Sequence, residues 1–114
     1  MQYALLAYGR PDESRDVPGR IDEAIAAVLA RPYVTGWVRL HSATSATTLR
    51  SSEDRTLLTD GPFIDSKEYL AGLILIEAEN LDKALEVAQE LQDSRAGGGA
   101  IEVRPVIESL FRGA

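Results

Sequence analysis

The segment from Leu70 to Ala78 constrains the fold of this 114-residue chain most strongly. It is the clearest predicted strand, and it is apolar on both faces, because Leu73 and Ile74 point to opposite sides of the pleat. An antiparallel sheet that carries helices on one face normally presents polar side chains on the other. The second face therefore needs a cover, and for a domain this small a second copy of the chain is the simplest one. The pattern predicts a homodimer whose two sheets pack face to face.

The remaining elements follow from hydrophobic periodicity and from turn residues. In chain order we predict a strand over residues 2–8, a helix capped by Asp16 and ended by Pro32, a strand over 34–40, a hairpin of 46–50 with 55–59, the strand over 70–78, a helix capped by Asn80, and a strand over 101–107. Pro105 in the last strand indicates an edge position or a bulge. Two β-α-β halves in series describe an α+β fold of the ferredoxin-like, split β-α-β type, with an antiparallel sheet and both helices on one face. We expect residues 1–114 to form a single domain.

Each predicted helix carries an apolar stripe at helical spacing. The buried stripe of the first helix is predicted to consist of Ile21, Ala24, Ile25, Val28 and Leu29. That of the second helix is predicted to consist of Leu81, Ala84, Leu85, Ala88 and Leu91. The glycines at 97–99 that follow are predicted to form a loop, and they lack the spacing and the strand–helix context of a phosphate cradle.

The charge and the residue types exclude several classes of function. The net charge of −6 argues against nucleic-acid binding, which needs clustered Lys and Arg. The chain has no cysteine, so disulfides, thiolate catalysis and cysteine-ligated metal centres are excluded. No apolar run is long enough to span a membrane, and the N-terminal residues lack the features of a signal peptide. We therefore expect a cytoplasmic protein that binds neither nucleic acid nor membrane.

The segment from Asp60 to Glu68 is the most informative for function, because it places carboxylates and an ammonium in a turn between two apolar strands. Asp60 ends a strand, and its Gly-Pro neighbours make the turn rigid. A carboxylate at the rim of an apolar barrel is suited to proton transfer, so Asp60 is the first candidate for a catalytic acid or base. The alternative is structural, since the side chain of an Asp in such a turn bonds the backbone two residues on.

His41, the only histidine, ends the second predicted strand. An imidazole is the usual base near neutral pH, and with Asp60 it would form an oriented catalytic pair. The alternative is a surface histidine that precedes a polar run. Asp60, Asp65 and Glu68 are the carboxylates available to a cation, but nothing in their spacing calls for a metal, and no cofactor is expected.

Four further residues are candidates for substrate binding. Lys67 would anchor an anionic ligand, or it belongs to a solvated loop. Arg104 would bind a carboxylate through two hydrogen bonds if it points inward, or would protect an edge strand if it points outward. Trp37 and Tyr8 are candidates for a cavity wall or for dimer contacts, although aromatic residues in a sheet more often belong to the core.

The chain resembles the YCII-related (DGPF-domain) family of small proteins of the dimeric α+β barrel type. The resemblance rests on four segments that occur in the same order along nearly the whole chain: 3–6, 46–50, 59–68 and 102–106. The Asp-Gly-Pro-Phe element at 60–63, with its trailing Lys-Glu, is the specific part. The resemblance implies a cytoplasmic ferredoxin-like dimer, often regarded as enzymatic, with no settled substrate.

Two departures from the family pattern concern the first helix. The helix and the turn after it are shorter than the pattern suggests, so one wall of a pocket differs. Related proteins are thought to use a His–Asp pair whose histidine lies on this helix, and this chain has no histidine there. That pair is therefore not carried over to this chain.

Two functional hypotheses remain open at the level of the sequence. The first is a cofactor-independent enzyme or binding protein for a small acidic or aromatic metabolite, with a pocket between the sheet and the dimer mate. In it, Asp60 acts as acid or base, His41 assists, and Arg104 holds an acidic group. The second is a non-catalytic regulatory or interaction module that binds a protein partner. The resemblance supports this alternative, because some DGPF-type proteins are associated with extracytoplasmic-function sigma factors.

Overall fold

The computed structural model describes residues 1–95 and 98–112. The described residues form strands β1 (Gln2–Gly9), β2 (Val34–Arg39), β3 (Thr47–Ser52), β4 (Arg55–Asp60), β5 (Tyr69–Glu77) and β6 (Ala100–Pro105), and helices α1 (Glu23–Leu29) and α2 (Leu81–Asp93). Two 3-10 turns cover Glu13–Arg15 and Ala43–Ser45. Neither helix of this described part is long and apolar enough to cross a membrane. The first residue of the predicted glycine loop, Gly97, lies outside the described residues.

The sheet has the strand order β2-β5-β1-β6, and all of its neighbouring strands are antiparallel. Strands β3 and β4 form a separate hairpin. The two helices contact each other and pack against one face of the sheet. The predicted α+β class, with an antiparallel sheet and both helices on one face, is therefore confirmed. Strand β6 lies at an edge and ends at Pro105, as predicted from the missing N–H donor of proline.

The hydrophobic core lies between the helices and the sheet. Its largest fully buried side chains are Leu5 on β1, Ile76 on β5 and Val28 on α1. Helix α2 begins where the sequence predicts, because the side chain of Asn80 accepts a hydrogen bond from the backbone N–H of Lys83 at 3.0 Å. The core thus combines alternating residues of the central strands with a stripe from α2 and with Val28 and Ile25 of α1. Ala24, which was predicted to belong to the buried stripe of the first helix, is exposed.

The buried stripe of α2 is narrower than predicted. Ala84, Ala88 and Leu91 are buried, but Leu81 and Leu85 remain about half exposed. The small alanine side chains let the helix approach the sheet closely along their own line, and this orientation turns the two leucines toward the edge of the interface. The prediction that Leu81 and Leu85 belong to the buried stripe is therefore wrong.

Helix α1 begins at Glu23, and the prediction that Asp16 caps it is also wrong. Asp16 instead follows the first 3-10 turn, and both of its carboxylate oxygens accept a hydrogen bond from the backbone N–H of Ser42. Gly19 has a φ of +80°, which interrupts any helix at that point. The Asp16 carboxylate therefore binds the distant backbone N–H of Ser42, although local sequence rules predict that it caps the helix.

The end of α1 is joined to α2 by Arg31, whose guanidinium forms a two-point contact with the Glu90 carboxylate. One of the two bonds, from Nη1 to Oε2, measures 2.6 Å, and Nη1 also donates to the hydroxyl of Tyr33. The hydrogen bonds from Arg31 lower the pKa of Glu90 below its ordinary value. Both side chains are partly solvent-exposed, so their contribution to stability is modest.

We expect the stabilising effect of this pair to be pH-dependent. Because the folded state lowers the pKa of Glu90, the contribution is fully present above the pKa that Glu90 has in the unfolded chain, and it is lost as the pH falls through the lowered value. Glu90→Gln should therefore unfold at a lower urea concentration than the wild type at pH 7, and the two curves should converge in acid. A difference that persists unchanged at pH 3 would contradict this assignment.

The face of the sheet opposite the helices is incompletely covered. Leu6 pairs with Leu73 there, and Val38 of the neighbouring strand β2 lies beside them with 48% of its surface exposed. We call this surface, formed by Leu6, Val38 and Leu73, the open face. Its apolar character matches the pattern that predicted a cover over the second side of the sheet.

The C-terminal residues cross one end of the open face. The hydroxyl of Ser109 donates to the side-chain oxygen of Gln2 at 2.6 Å. A ring atom of Phe111 lies 3.7 Å from the position that a Cβ on Gly36 would occupy. Ile107 and Leu110 in the same segment remain exposed, so the segment itself presents apolar side chains to its surroundings.

The hairpin of β3 and β4 extends away from the main sheet. Its turn residues Glu53 and Asp54 both have positive φ, at 48° and 64°, the geometry of a two-residue hairpin turn. Leu49 and Leu58 pair across it and are exposed. The radius of gyration is 15.7 Å, whereas roughly 13 Å is expected for a compact domain of this length. The hairpin was predicted, and its separation from the sheet makes the chain elongated.

Candidate functional site

Two adjacent cavities open at the end of the sheet where β1 finishes and β5 begins. The first, which we call the apolar cavity, has a volume of about 740 Å³ and is lined by residues 40–43 after β2, by Ser45 and Ala46, and by part of the segment 62–70 that leads into β5. The second, which we call the polar cavity, has a volume of about 800 Å³ and is walled by the segment 9–22, Arg39 and Arg95. Both cavities contact residues 40–43, Glu68 and Leu70, so these residues form the wall between them.

The segment between β1 and α1 is held in place by Arg39. Its guanidinium donates to the carbonyl oxygens of Arg15 at 3.1 Å and Arg20 at 2.8 Å, and also to that of Val17. An arginine that satisfies three backbone acceptors fixes a segment whose own regular structure is limited to the 3-10 turn Glu13–Arg15. This contact brings the segment 10–22 against the end of β2 and thereby positions Asp16 beside the strand.

His41 and Asp16 meet at the wall between the two cavities. The Nδ1 atom of His41 lies 3.6 Å from Oδ2 of Asp16. The two bonds from the backbone N–H of Ser42, at 2.9 and 3.0 Å, orient this carboxylate. The Asp16 side chain is only 17% exposed, whereas that of His41 is 75% exposed. The arrangement is a sheltered carboxylate behind an accessible imidazole, a geometry suited to general acid–base chemistry.

The loop that carries the Asp-Gly-Pro-Phe element forms the outer wall of the apolar cavity. Gly61 has a φ of +98° and donates its N–H to the carbonyl of Ala46 at 2.7 Å, which closes the base of the loop. The hydroxyl of Tyr69 accepts from the Ser66 N–H at 2.9 Å and donates to Asp65 at 3.1 Å. These bonds hold the loop so that its apolar residues Pro62, Phe63 and Ile64 line the cavity.

Arg95 is the partly buried cation of the polar cavity. Its guanidinium donates to the carbonyl oxygens of Tyr8 at 2.8 Å and Ala100 at 3.1 Å. A Cβ on Gly99, whose φ is +91°, would lie 2.9 Å from Nη2, so the glycine makes room for the guanidinium. Burial and the nearby charge of Arg15 lower the pKa of Arg95, and the charge of Glu68 opposes this effect.

The structure brings only two of the predicted site residues to the cavities. His41 lines both cavities, and Tyr8 lines the apolar cavity. Asp60 lines neither, because it pairs with Thr47 at the end of the hairpin, and the carboxylate beside His41 is that of Asp16. The predicted pairing of His41 with Asp60 is therefore replaced by a pairing with Asp16.

The other predicted residues lie elsewhere. Lys67 is exposed in the loop and lines neither cavity. Arg104 lies on the edge strand β6, where it pairs with Ala4 of β1. Its side chain is on the same side of the sheet as the open face. Trp37 lies on the edge strand β2, where it pairs with Ile74 of β5, and it is partly exposed. None of the three lines either cavity.

Sequence reasoning missed Asp16 and Arg95. The sequence around Asp16 indicates a helix cap. In the structure the hydrogen-bond partner of Asp16 is Ser42, which is 26 positions away. Arg95 lies two positions before the glycines at 97–99. The sequence indicates its position at the cavity only through these glycines, which leave space for a neighbouring side chain. Its contact with Tyr8 joins residues 87 positions apart. Neither site role follows from local patterns.

The described residues do not contain a group of three or more His, Cys, Asp or Glu side chains that could hold a metal ion. The polar side chains that line the cavities are one imidazole, carboxylates, guanidiniums and the hydroxyls of serines and tyrosines. Such a set can move protons and bind anions through its own side chains.

Comparison with known proteins identifies the family. The model of the YCII-related domain matches residues 1–109. An uncharacterized protein of Rhizobium meliloti (strain 1021) is 38% identical over 117 aligned positions, which cover 93% of this chain and 92% of that protein. The match spans the β1 strand, the loop with Asp-Gly-Pro-Phe and the last strand. This chain therefore belongs to the YCII-related domain family.

Proposed function

We propose that this protein is a cofactor-independent enzyme that moves a proton on a small acidic or aromatic metabolite. The observation that carries the proposal is the His41–Asp16 pair on the wall between two cavities. With Nδ1 turned to Asp16, the Nε2 atom is left to accept a proton from a bound ligand. The carboxylate then stabilises the imidazolium, in the way that a buried carboxylate orients and supports a catalytic histidine.

The roles differ from those expected from the sequence. Asp16 takes the place of Asp60 as the carboxylate that assists His41, because Asp16 is the one in reach of the imidazole. Asp60 and the Gly61 turn close the base of the loop that walls the apolar cavity. The Asp-Gly-Pro-Phe element thus contributes to the site by its shape.

Proton transfer is tested by hydrogen–deuterium exchange. Arylpyruvates and related oxo acids, whose C–H bonds ionise next to a carbonyl, are incubated with the protein in D₂O, and loss of the proton signal is followed by NMR. We expect exchange faster than in buffer, and a decrease of about 10²–10⁴-fold in His41→Gln. Asp16→Asn should give a smaller decrease, because it keeps the shape of the side chain and removes the charge.

In the same assay, Asp60→Asn shows whether Asp60 or Asp16 is the carboxylate that assists His41. If Asp16 is the partner of His41, Asp60→Asn exchanges at nearly the wild-type rate. Loss of exchange in Asp60→Asn with full activity in Asp16→Asn would contradict the assignment. No exchange with any member of the panel would count against catalysis.

We also propose that the protein is a homodimer in which a second copy covers the open face. The support is the apolar surface formed by Leu6, Val38 and Leu73 on the side of the sheet that has no helices. An antiparallel sheet exposed to water on that side would carry polar residues. The two sheets would then enclose the region between them, as the sequence pattern predicts.

A second candidate function is favoured by the hairpin. Leu49 and Leu58 lie exposed on it, and an isolated two-stranded hairpin has little stability of its own in water. A protein partner that packs against these leucines would stabilise it, as in a regulatory module linked to sigma-factor-dependent transcription. In that case Leu49→Ser would abolish partner binding and leave the cavities intact.

A further inference from the structure

The two cavities differ sharply in the charge of their linings. Among the described residues that line the polar cavity are five arginines and four acidic residues. The lining of the apolar cavity contains Glu68 as its one carboxylate and no arginine, and its walls include Leu40, Phe63 and Ile64. A single ligand that extended across the shared wall would meet charged side chains, with the arginines among them, at one end and mainly apolar side chains at the other.

The arginines of the polar cavity differ in their hydrogen-bond and ion-pair partners. Arg39 is engaged by three backbone carbonyls, and Arg20 donates to the carbonyl of Ser14 at 2.8 Å. These two hold the segment between β1 and α1. Arg15 makes a longer and exposed contact of 3.7 Å with Asp12. Such a contact is weak in water, so it leaves the Arg15 guanidinium able to bind another anion.

Arg95 has the properties of a built anion site. Two backbone carbonyls and the space left by Gly9 and Gly99 fix its guanidinium, which is the planar donor that best matches a carboxylate. Its five N–H donors exceed the two carbonyl partners recorded among the described residues. Burial is the main cause of the lowered pKa of Arg95, and the nearby like charge of Arg15 adds to it. An anion bound by the two guanidiniums would offset both effects.

We propose that the ligand of this protein is an amphipathic acid that spans both cavities. Its carboxylate binds Arg95 and Arg15 in the polar cavity, and its apolar body, an aromatic ring or a similar group, packs against Phe63 and Ile64 in the apolar cavity. The atoms between the two ends then lie beside His41. This inference rests on the proposed function and deepens it, since it names the class of ligand and assigns the anion to Arg95 and Arg15 in place of Arg104.

The test uses phenyl-terminated carboxylic acids of increasing chain length, from benzoate to 5-phenylpentanoate, with the matching amides as neutral controls. Binding is measured by isothermal titration calorimetry on the full chain. Affinity should rise by roughly fourfold per methylene while the ring moves into the apolar cavity. The amides should bind about 10- to 100-fold more weakly than the acids, because they lack the charge that the arginines recognise.

Three variants locate the two ends of the ligand. Arg15→Gln and Arg95→Lys should each weaken binding of the acids by about 10-fold or more and leave binding of the amides nearly unchanged. Phe63→Ser should weaken only the longer acids, whose ring reaches the apolar cavity. Arg55→Gln, at the tip of the hairpin, is the matched control for loss of an arginine. Because Arg95 also supports the backbone at Tyr8, Arg15→Gln keeps the test valid if Arg95→Lys unfolds.

Each result decides a different point. Equal affinity of acids and amides, or equal effects of Arg15→Gln and Arg55→Gln, would overturn the assignment of the anion. Binding of the acids that is lost in His41→Gln but unchanged in both cavity-arginine variants would overturn this inference and leave the proposed function standing. No binding of any acid would overturn the ligand class, while the exchange assay tests proton transfer separately.

Discussion

Replacing Ile76 by alanine is expected to lower the free energy of unfolding by about 2–5 kcal/mol. Ile76 has no solvent-exposed surface and lies at the centre of the core, where it pairs with Tyr3 on the neighbouring strand. The substitution removes buried methyl groups and leaves a cavity that the close-packed helices cannot fill. Urea unfolding at a fixed protein concentration measures the effect, since dimerisation would make stability depend on concentration.

The matched control is Ile107→Ala, the same chemical change at a residue that is 97% exposed. We expect this variant to unfold within about 0.5 kcal/mol of the wild type. A loss of less than 1 kcal/mol for Ile76→Ala would mean that Ile76 does not lie in a packed core. A large loss for Ile107→Ala would show that the C-terminal segment is buried against another surface in solution.

Much of the fold could be predicted from the sequence because its signals are local. The continuous apolar character of β1 and β5 indicates strands covered on both faces, and Asn80 marks the start of α2 through a hydrogen bond to a residue three positions on. Pro105 indicates an edge because it lacks a donor, whatever its tertiary surroundings. Each of these interactions lies within a single element, so the sequence of that element is sufficient.

The start of α1 could not be predicted, because it depends on contacts between distant segments. The Asp16 carboxylate has two competing uses, a helix cap or a bond to Ser42, and local rules favour the cap. The three bonds from Arg39 hold the segment as a loop and decide in favour of Ser42. The same contacts create the pair with His41, so the error about the helix and the error about the site have one cause.

The position of the candidate site was predicted in part. The Asp-Gly-Pro-Phe element does wall a cavity, through Pro62, Phe63 and Ile64. The sequence assigned the chemistry to the most conspicuous carboxylate of that element, Asp60, although a strand end can direct a side chain to either side. Which carboxylate faces His41 depends on how the loop after β1 folds over β2, and no pattern within either segment specifies that.

Val38→Glu is expected to convert the proposed homodimer to a folded monomer. Val38 is 48% exposed in the protomer and lies on the open face beside Leu73. Two-fold symmetry would place the new carboxylates of both copies in the same apolar interface, against Leu6 and Leu73. Burying these two like charges should raise the dimer dissociation constant by more than about 100-fold. Light scattering and sedimentation at micromolar concentration measure the change.

Leu81→Glu is the matched control, because Leu81 is also 48% exposed but lies on α2, on the other side of the sheet. A dimer through the open face predicts that this variant keeps the mass of the wild type. If Leu81→Glu dissociates the protein and Val38→Glu does not, the helices form the interface and the open face needs a different cover. A wild-type protein that is monomeric at micromolar concentration would contradict the homodimer. The apolar surface of Leu6, Val38 and Leu73 would then indicate a different protein as the partner. This outcome would agree with the interaction module that the exposed hairpin also favours.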